Sequence, residues 1–363
     1  MHGNGNHDVS APLRDVVGSP IEFGRFEMSD PIRLGLLGCG TVGSAVMRAT
    51  SCDPWLAGRY DVAAVAVRDV ASRRDCDVDG RRLTTSPLAV ARSPDVDVVV
   101  EVMGGHEPAR SSIEAALASG KPVVTANKAL LATDGPDLLA LAARQCVPLR
   151  YEAAVAGAIP GVRTLTELAR TETVTRLDAV LNGTTTYVLA AMADRGIDLE
   201  EAVADAQSQG YAEADPSRDI DGRDAADKLT LLARLLWDVA WGPDVVHRLG
   251  ITGLTPTDIL KARSEGQGWQ VVASATPRCA KVEPVRLPLE HPLARLSGTD
   301  NAIRVEGQRS GPLTLIGSGA GGDATAASVL ADLEHIRRRR SAHPSMRTTR
   351  TPALRGPVPA AHP

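Results

Sequence analysis

PIRLGLLGCGTVGSAV, residues 31–46, decides how the rest of the chain is read. An apolar run suited to a buried strand enters G-x-G-x-x-G at Gly38, Gly40 and Gly43 and then opens a helix. The first glycine permits a tight turn, the second lets backbone approach a pyrophosphate, and the third allows close helix–strand packing. The helix N-terminus, with Thr41 and Val42 in its first turn, presents backbone N–H groups to an anion. Set between strand and helix, the motif reads as a dinucleotide-binding turn. A purely structural turn is the alternative.

Working outward, YDVAAVAVRD (60–69), DVDVVVEVMGG (95–105), KPVVTANKAL (121–130) and VPLRYEAAVAG (147–157) read as further strands. Near-continuous Val, Ile, Leu and Ala separated by helical stretches indicates a parallel sheet buried on both faces. From TVTRLDAVLNG (173–183) onward the pattern changes to helices mixed with hairpin-like strands, WQVVASATPRCAKVEPVRLPL and NAIRVEGQRSGPLTLIGSG. The fold expected is α/β: a Rossmann-type parallel-sheet nucleotide-binding domain at 31–156 and 308–335, with an α+β substrate and dimerisation domain inserted at 157–307. Residues 1–30 read as a disordered leader and 336–363 as a disordered Arg/Pro-rich tail.

The tip of the second strand carries Arg68, then Asp69, with Arg73 and Arg74 close behind. An acid at this tip suits the ribose hydroxyls of NAD, whereas arginines suit the 2′-phosphate of NADP. Arg68 favours NADP, Asp69 pulls toward NAD, and NADP is the preferred reading.

The formal net charge of −4 argues against a polyanion-binding body, although seven arginines face one acid from Glu334 onward. No apolar run is long enough to span a bilayer. Cys39, Cys52, Cys76, Cys146 and Cys279 form no CxxC or disulfide-like rhythm, which points to a reducing, cytoplasmic compartment. Cys39, inside the glycine turn, reads as a small space-filler. No paired Cys/His set suits a transition metal.

GYAEADPSRDIDGRDAADKL (210–229) packs six carboxylates into a segment that runs straight into an apolar helix. Asp224 and Lys228 stand i, i+4, so both can face one cleft. An ordinary surface ion pair is the bland alternative. Lys128 in TANK follows a parallel strand, at the crevice outside the carboxyl ends of the sheet.

In order, EVMGGHEPA (101–109), VVTANKALLA (123–132), YEAAVAGAIPGV (151–162), LNGTTTYVLAAM (181–192), the acidic segment, HPLARLSGTDNAIRVEG (291–307) and GSGAGGDATAASVLADL (317–333) resemble homoserine dehydrogenase, from about Pro31 to Leu333. The resemblance implies reversible hydride transfer between NADP(H) and C4 of a four-carbon amino acid, L-homoserine to L-aspartate 4-semialdehyde, in threonine and methionine biosynthesis. It implies that Glu213 and Asp224, with Asp219 in support, bind the substrate ammonium. It makes Lys228 the proton donor, with Lys128 beside both substrate and cofactor. Gly321, in the closing glycine turn, joins the cofactor set. A monovalent cation, usually Na+, is implied at Glu152 and the carbonyls of Val155, Gly157 and Ile159. A homodimer through the second domain is implied as well. Thr186 stands where the family usually has Asn, and no C-terminal ACT domain is expected. A related amino-acid or semialdehyde dehydrogenase and an NADP-binding sensor are the competing readings; membrane and nucleic-acid partners are not expected.

Overall fold

The computed structural model describes residues 30–342. Residues 1–29 and 343–363, where the leader and most of the tail were expected, lie outside the described residues. Six strands, β1 (Ile32–Leu37), β2 (Tyr60–Ala66), β3 (Leu83–Thr84), β4 (Val98–Glu101), β5 (Val123–Thr125) and β6 (Leu149–Arg150), form a parallel sheet in the order β3-β2-β1-β4-β5-β6. Helices α1 (Thr41–Cys52), α2 (Pro87–Arg92), α3 (Ala109–Ala118) and α4 (Lys128–Arg144) connect them. The winding direction reverses between β1 and β4, which opens a crevice beyond their carboxyl ends. Val98, Val99 and Val100 are wholly buried, because helices cover both faces of the sheet, and this is why the run is unbroken valine and not alternation.

The chain then forms α5 (Gly161–Thr171), β7 (Val174–Val180), α6 (Gly183–Arg195), α7 (Leu199–Ser208), α8 (Ser217–Ile220) and α9 (Arg223–Trp237). It continues through β8 (His247–Arg248), α10 (Pro256–Ser264), β9 (Gln267–Ala275), β10 (Ala280–Pro288), β11 (Asp300–Gly307), β12 (Gly311–Ser318) and α11 (Gly322–Ala342). The second sheet has the order β12-β11-β7-β9-β10-β8 and is antiparallel except where β8 joins β10. Leu177, Ala179, Ile303 and Val305 from this sheet share one apolar cluster with Leu229 and Leu232 of α9 and with Leu37 and Leu131 of the first unit. The two sheets are therefore tied through α9, the helix that carries Asp224 and Lys228.

The expected α/β class with a parallel nucleotide-binding sheet is what the chain forms. Four details differ. The strand expected at 147–157 is only Leu149–Arg150, since Glu152–Ala154 turns into a 3-10 helix. The two-residue β3 was not anticipated, being too short to carry a period. β12 pairs residue by residue with β11, so the second unit extends to Ser318 and not to 307. Finally, α11 runs to Ala342, into the stretch read as tail. Ala326, Val329, Leu333 and Ile336 recur at helical spacing and pack against Leu34, Leu36 and Val46, which carries the helix past Leu333. Among the described residues no helix is long and apolar enough to cross a membrane.

Candidate active site

Helix α9 starts after Gly222, whose positive φ of 82° reverses the chain out of α8. Asp224 in its first turn and Lys228 in its second, four residues on, stand one above the other. The Lys228 ammonium lies 2.8 Å from Asp224 Oδ2 and also donates to the Leu181 carbonyl at 2.6 Å. From the first unit, the Lys128 ammonium reaches Asp224 Oδ1 at 3.0 Å. Asn127 fixes the start of α4 for this: its side chain accepts from the Leu130 N–H and donates to the Gly105 carbonyl. Asn182 caps α6 by accepting from the Thr185 N–H at 2.8 Å, and its amide donates to Asp219 at 2.6 Å and Asp224 at 2.9 Å. Asp227, one helical turn along, is buried and paired with Arg218 at 2.7 Å.

Burial alone would push the Asp224 carboxyl up. The Lys228 and Lys128 ammonium groups and the Lys228 and Asn182 hydrogen bonds override it and hold the group well below the usual carboxylate range. The two lysines move apart. Lys228 is the more buried; desolvation lowers its pKa despite Asp224, and Lys128 adds to the lowering. Lys128 is dominated by Asp224 and rises. Asp219 rises through burial and the neighbouring Asp224 carboxylate. Opposed shifts on paired groups divide acid–base roles between them.

Glu213 is not part of this cluster. It stands exposed between α7 and α8, anchored through its carbonyl, which accepts from Gln207. Thr186, at the family's usual Asn position, is buried and turns its hydroxyl back to the Asn182 carbonyl. His106 pairs with Asp134 at 2.7 Å and makes an ordinary loop contact.

On the nucleotide side, Gly38 has φ +99°, and an added Cβ would lie 2.9 Å from Val102 backbone. A Cβ on Gly43 would lie 2.3 Å from the Gly38 carbonyl oxygen, so only glycine admits this packing. A Cβ on Gly40 would meet nothing within 4 Å, leaving open space above the turn. Gly321 is equally open, and the next residue, Gly322, packs against Thr41. Val42 begins α1 beside it. Arg68 is exposed and unpaired among the described residues. Arg74 instead folds its own loop, donating to the carbonyls of Asp69, Val70 and Ser72. The Asp69 carboxylate is taken by the Ala71 N–H and the Ser72 hydroxyl.

The Glu152 carboxylate accepts the Val162 and Arg163 N–H groups at 2.7 and 3.0 Å and so caps α5. Ser328 donates to the Gly157 carbonyl at 2.6 Å, and the Gly161 N–H donates to the Ile159 carbonyl at 2.7 Å. The Val155 carbonyl accepts no hydrogen bond among the described residues. The donors are all oxygens, as a hard cation requires, and a carbonyl keeps a second lone pair after one hydrogen bond. Among the described residues no group of three or more His, Cys, Asp or Glu could hold a metal ion.

Sequence reading missed Asn182, Asn127, Glu101 and Asn301. The first two carry a recoverable signal, an Asn three residues before the N–H it caps. Wholly buried Glu101 accepts from the N–H groups of Met103 and Gly104 and from the Thr125 hydroxyl, which holds the β4 and β5 ends in place. The Asn301 amide is fully buried and unpaired among the described residues, against Gly319.

Family profiles described as homoserine dehydrogenase, NAD binding domain and homoserine dehydrogenase match residues 38–152 and 160–333. Homoserine dehydrogenase of Mycobacterium tuberculosis is 42% identical over 330 residues, spanning 85% of this chain and 73% of that one. The enzyme of Corynebacterium glutamicum is 39% identical over 316 residues, spanning 83% and 71%. A crystal structure of homoserine dehydrogenase from Thiobacillus denitrificans superposes with TM-score 0.80 at 36% identity, covering 88% of this chain and 76% of that one. A hyperthermophilic archaeal homoserine dehydrogenase in complex with NADPH gives TM-score 0.73 at 27% identity, covering 85% and 98%.

Asp332 provides a test of the Glu152 region. It accepts the Glu152 N–H at 2.9 Å, and burial, with the Glu152 carboxylate adding to it, pushes its carboxyl up to about 6. A raised carboxylate pKa means the native state binds the extra proton, so this group costs stability as pH rises from about 4 to about 6. Asp332→Asn keeps an acceptor for the N–H. It should raise stability at pH near 8 by up to about 3 kcal/mol and converge with the parent below about pH 4. Thermal melts across that range check it; an increment independent of pH would remove the buried charge from the explanation.

Proposed function

The chain belongs to the homoserine dehydrogenase family and catalyses the reversible NAD(P)-dependent conversion of L-homoserine and L-aspartate 4-semialdehyde, and from that premise we propose that Lys228, Lys128 and Asp224 carry the proton chemistry. The observation that carries the proposal is the convergence of both ammonium groups on one buried carboxylate. A nicotinamide dinucleotide held with its pyrophosphate at the glycine turn would supply or accept the hydride. Gly38, Gly40, Gly43 and the start of α1 would hold the pyrophosphate, with Thr41, Val42 and Gly321 beside it.

In the reducing direction the C4 aldehyde oxygen gains negative charge and needs a proton. Lys228, buried and lowered in pKa, gives that proton and takes it back in reverse. Lys128, raised by Asp224, stays charged and polarises the same oxygen. Asp224 orients both amines and, with Asp219, favours the substrate ammonium. Glu213 is assigned to the same ammonium by the resemblance, from the exposed loop between α7 and α8.

NADP is the proposed cofactor. The unpaired Arg68 is free to meet a 2′-phosphate, while the neighbouring Asp69 carboxylate already accepts from the Ala71 N–H and the Ser72 hydroxyl of its own loop. Oxidation of NADPH and NADH, followed in parallel with aspartate semialdehyde, tests reaction and cofactor together. NADPH should be preferred, and Arg68→Ala should weaken NADPH selectively by about 1.5–3 kcal/mol, the range for a charged hydrogen bond. Equal losses with both cofactors would remove the 2′-phosphate assignment.

A cytoplasmic homodimer formed through the second unit is proposed, supported by the exposed Ile316 on edge strand β12. A monovalent cation at the Glu152 loop would share the Val155, Gly157 and Ile159 carbonyls. A dimer in sedimentation velocity, and a higher Tm in sodium than in tetramethylammonium chloride, are expected; a monomer or equal Tm values would overturn the respective readings.

Lys228→Ala should lower turnover by roughly 10²–10⁴-fold, the range for losing a positioned acid–base group. NADPH affinity should change little, while Tm should fall because the buried Asp224 carboxylate keeps only Lys128 and the Asn182 amide as partners, so turnover is read well below that Tm. Lys228→Arg should not restore turnover, since guanidinium keeps its proton. Turnover near the parent level in Lys228→Ala would move the proton donor to Lys128.

A further inference from the structure

Two thiols meet beside the glycine turn. Cys39 sits between Gly38 and Gly40, and its Sγ lies 3.5 Å from Sγ of Cys76, in the loop from β2 to β3. Both are half-buried, and Cys39 also contacts the Ser44 hydroxyl. Cys52, Cys146 and Cys279 are exposed, and none is in contact with another thiol. Both meeting cysteines touch the apolar cluster under α1, so space-filling is the plain alternative.

The surroundings make one of the two sulfurs fixed and the other adjustable. Cys39 is held by a turn in which Gly38 touches Val102 backbone and Gly43 touches the Gly38 carbonyl. Cys76 belongs to a loop, residues 67–79, without helix or strand. Closing from 3.5 Å to a covalent S–S length of about 2.05 Å therefore falls on the Cys76 loop. That loop also carries Arg68.

We propose that Cys39 and Cys76 form a reversible intramolecular disulfide under hydroperoxide, and that this bond closes the nucleotide seat. Peroxide transfers one oxygen to the Cys76 sulfur, leaving a sulfenic acid and releasing water or alcohol. The Cys39 sulfur then attacks the Cys76 sulfur. An S–S bond forms, the S–O bond breaks, and the departing hydroxide leaves as water with the Cys39 proton. The two thiols lose two electrons and the peroxide gains two; a dithiol reverses the change. Burial and the contact with Cys76 push the Cys39 thiol up to about 11, which counts against Cys39 as the sulfur that meets peroxide; its attack on Cys76 requires its proton to pass to the departing oxygen.

The functional consequence rests on the reading that the cofactor lies over the glycine turn. A bond there ties the Arg68 loop down onto the surface that would face the pyrophosphate. Conversely, a bound dinucleotide shields Cys39.

The reduced full-length protein is treated with hydrogen peroxide, then examined by non-reducing peptide mapping and by fluorescence titration with NADPH. A Cys39–Cys76 crosslinked peptide should appear, and NADPH affinity should fall by about tenfold or more, the equivalent of one lost charged contact. Dithiothreitol should restore affinity, and NADPH added first should slow crosslinking. Cys76→Ser should keep parental activity and hold its NADPH affinity through peroxide. Absence of the crosslinked peptide, an oxidised protein with unchanged affinity, or a Cys76→Ser variant as sensitive as the parent would each overturn the inference. The seat itself is tested without oxidant by Gly40→Val in reduced protein: unchanged NADPH affinity there counts against the cofactor placement, while peptide mapping still reads the disulfide.

Discussion

The Asp224 carboxylate lies between two ammonium groups that arrive from different parts of the fold, Lys228 on its own helix and Lys128 at the end of the parallel sheet. The carboxylate is 6% exposed, so its charge is tolerated only because those partners and the Asn182 amide surround it. Without it, those two cations would face each other with only the weaker influence of Asp219 to offset their shared charge. The docking of the two sheets, the start of α4 and the cap of α6 all have to be right for this one contact to form.

The crevice follows from the same geometry. β1 and β4 end side by side at the reversal of the sheet, and the turns after them touch: Gly38 packs on Val102, and Glu101 holds the N–H groups of Met103 and Gly104. The wholly buried Glu101 thereby replaces solvent for backbone that leaves the sheet, in keeping with the rule that buried polar groups are paired. From the far end of the chain, α11 returns to pack beside α1 and brings Gly322 against Thr41. The nucleotide surface is thus assembled from segments nearly the whole described chain apart.

The lysine pair illustrates how burial, and not residue type, assigns roles. Both amines contact the same carboxylate, yet desolvation dominates for Lys228 and the carboxylate's charge dominates for Lys128. One amine becomes easier to deprotonate and the other harder. A site that must both deliver a proton and stabilise developing negative charge needs that asymmetry. Asp219 is pushed up by its own burial and by the neighbouring Asp224 carboxylate.

The sequence by itself determined the α/β class, the glycine turn and the candidate lysines, because each rests on local rules. Those rules are a strand–turn–helix pattern, buried valine runs and an i, i+4 pair. Helix α9 was legible from its apolar stripe, and α11 only in part, since burial of Ile336 against the first sheet carries it beyond the expected end. The union of Lys128 with Asp224, the bridging by Asn182 and the meeting of Cys39 with Cys76 were decided only in three dimensions. Each joins residues separated by dozens of positions, with no spacing to betray it. Glu213 marks the opposite limit: the resemblance names it, and the folded chain leaves it exposed on a loop outside the Asp224 cluster. Proton affinities belong wholly to the folded state, because desolvation and neighbouring charge exist only once the chain has closed around the groups that feel them.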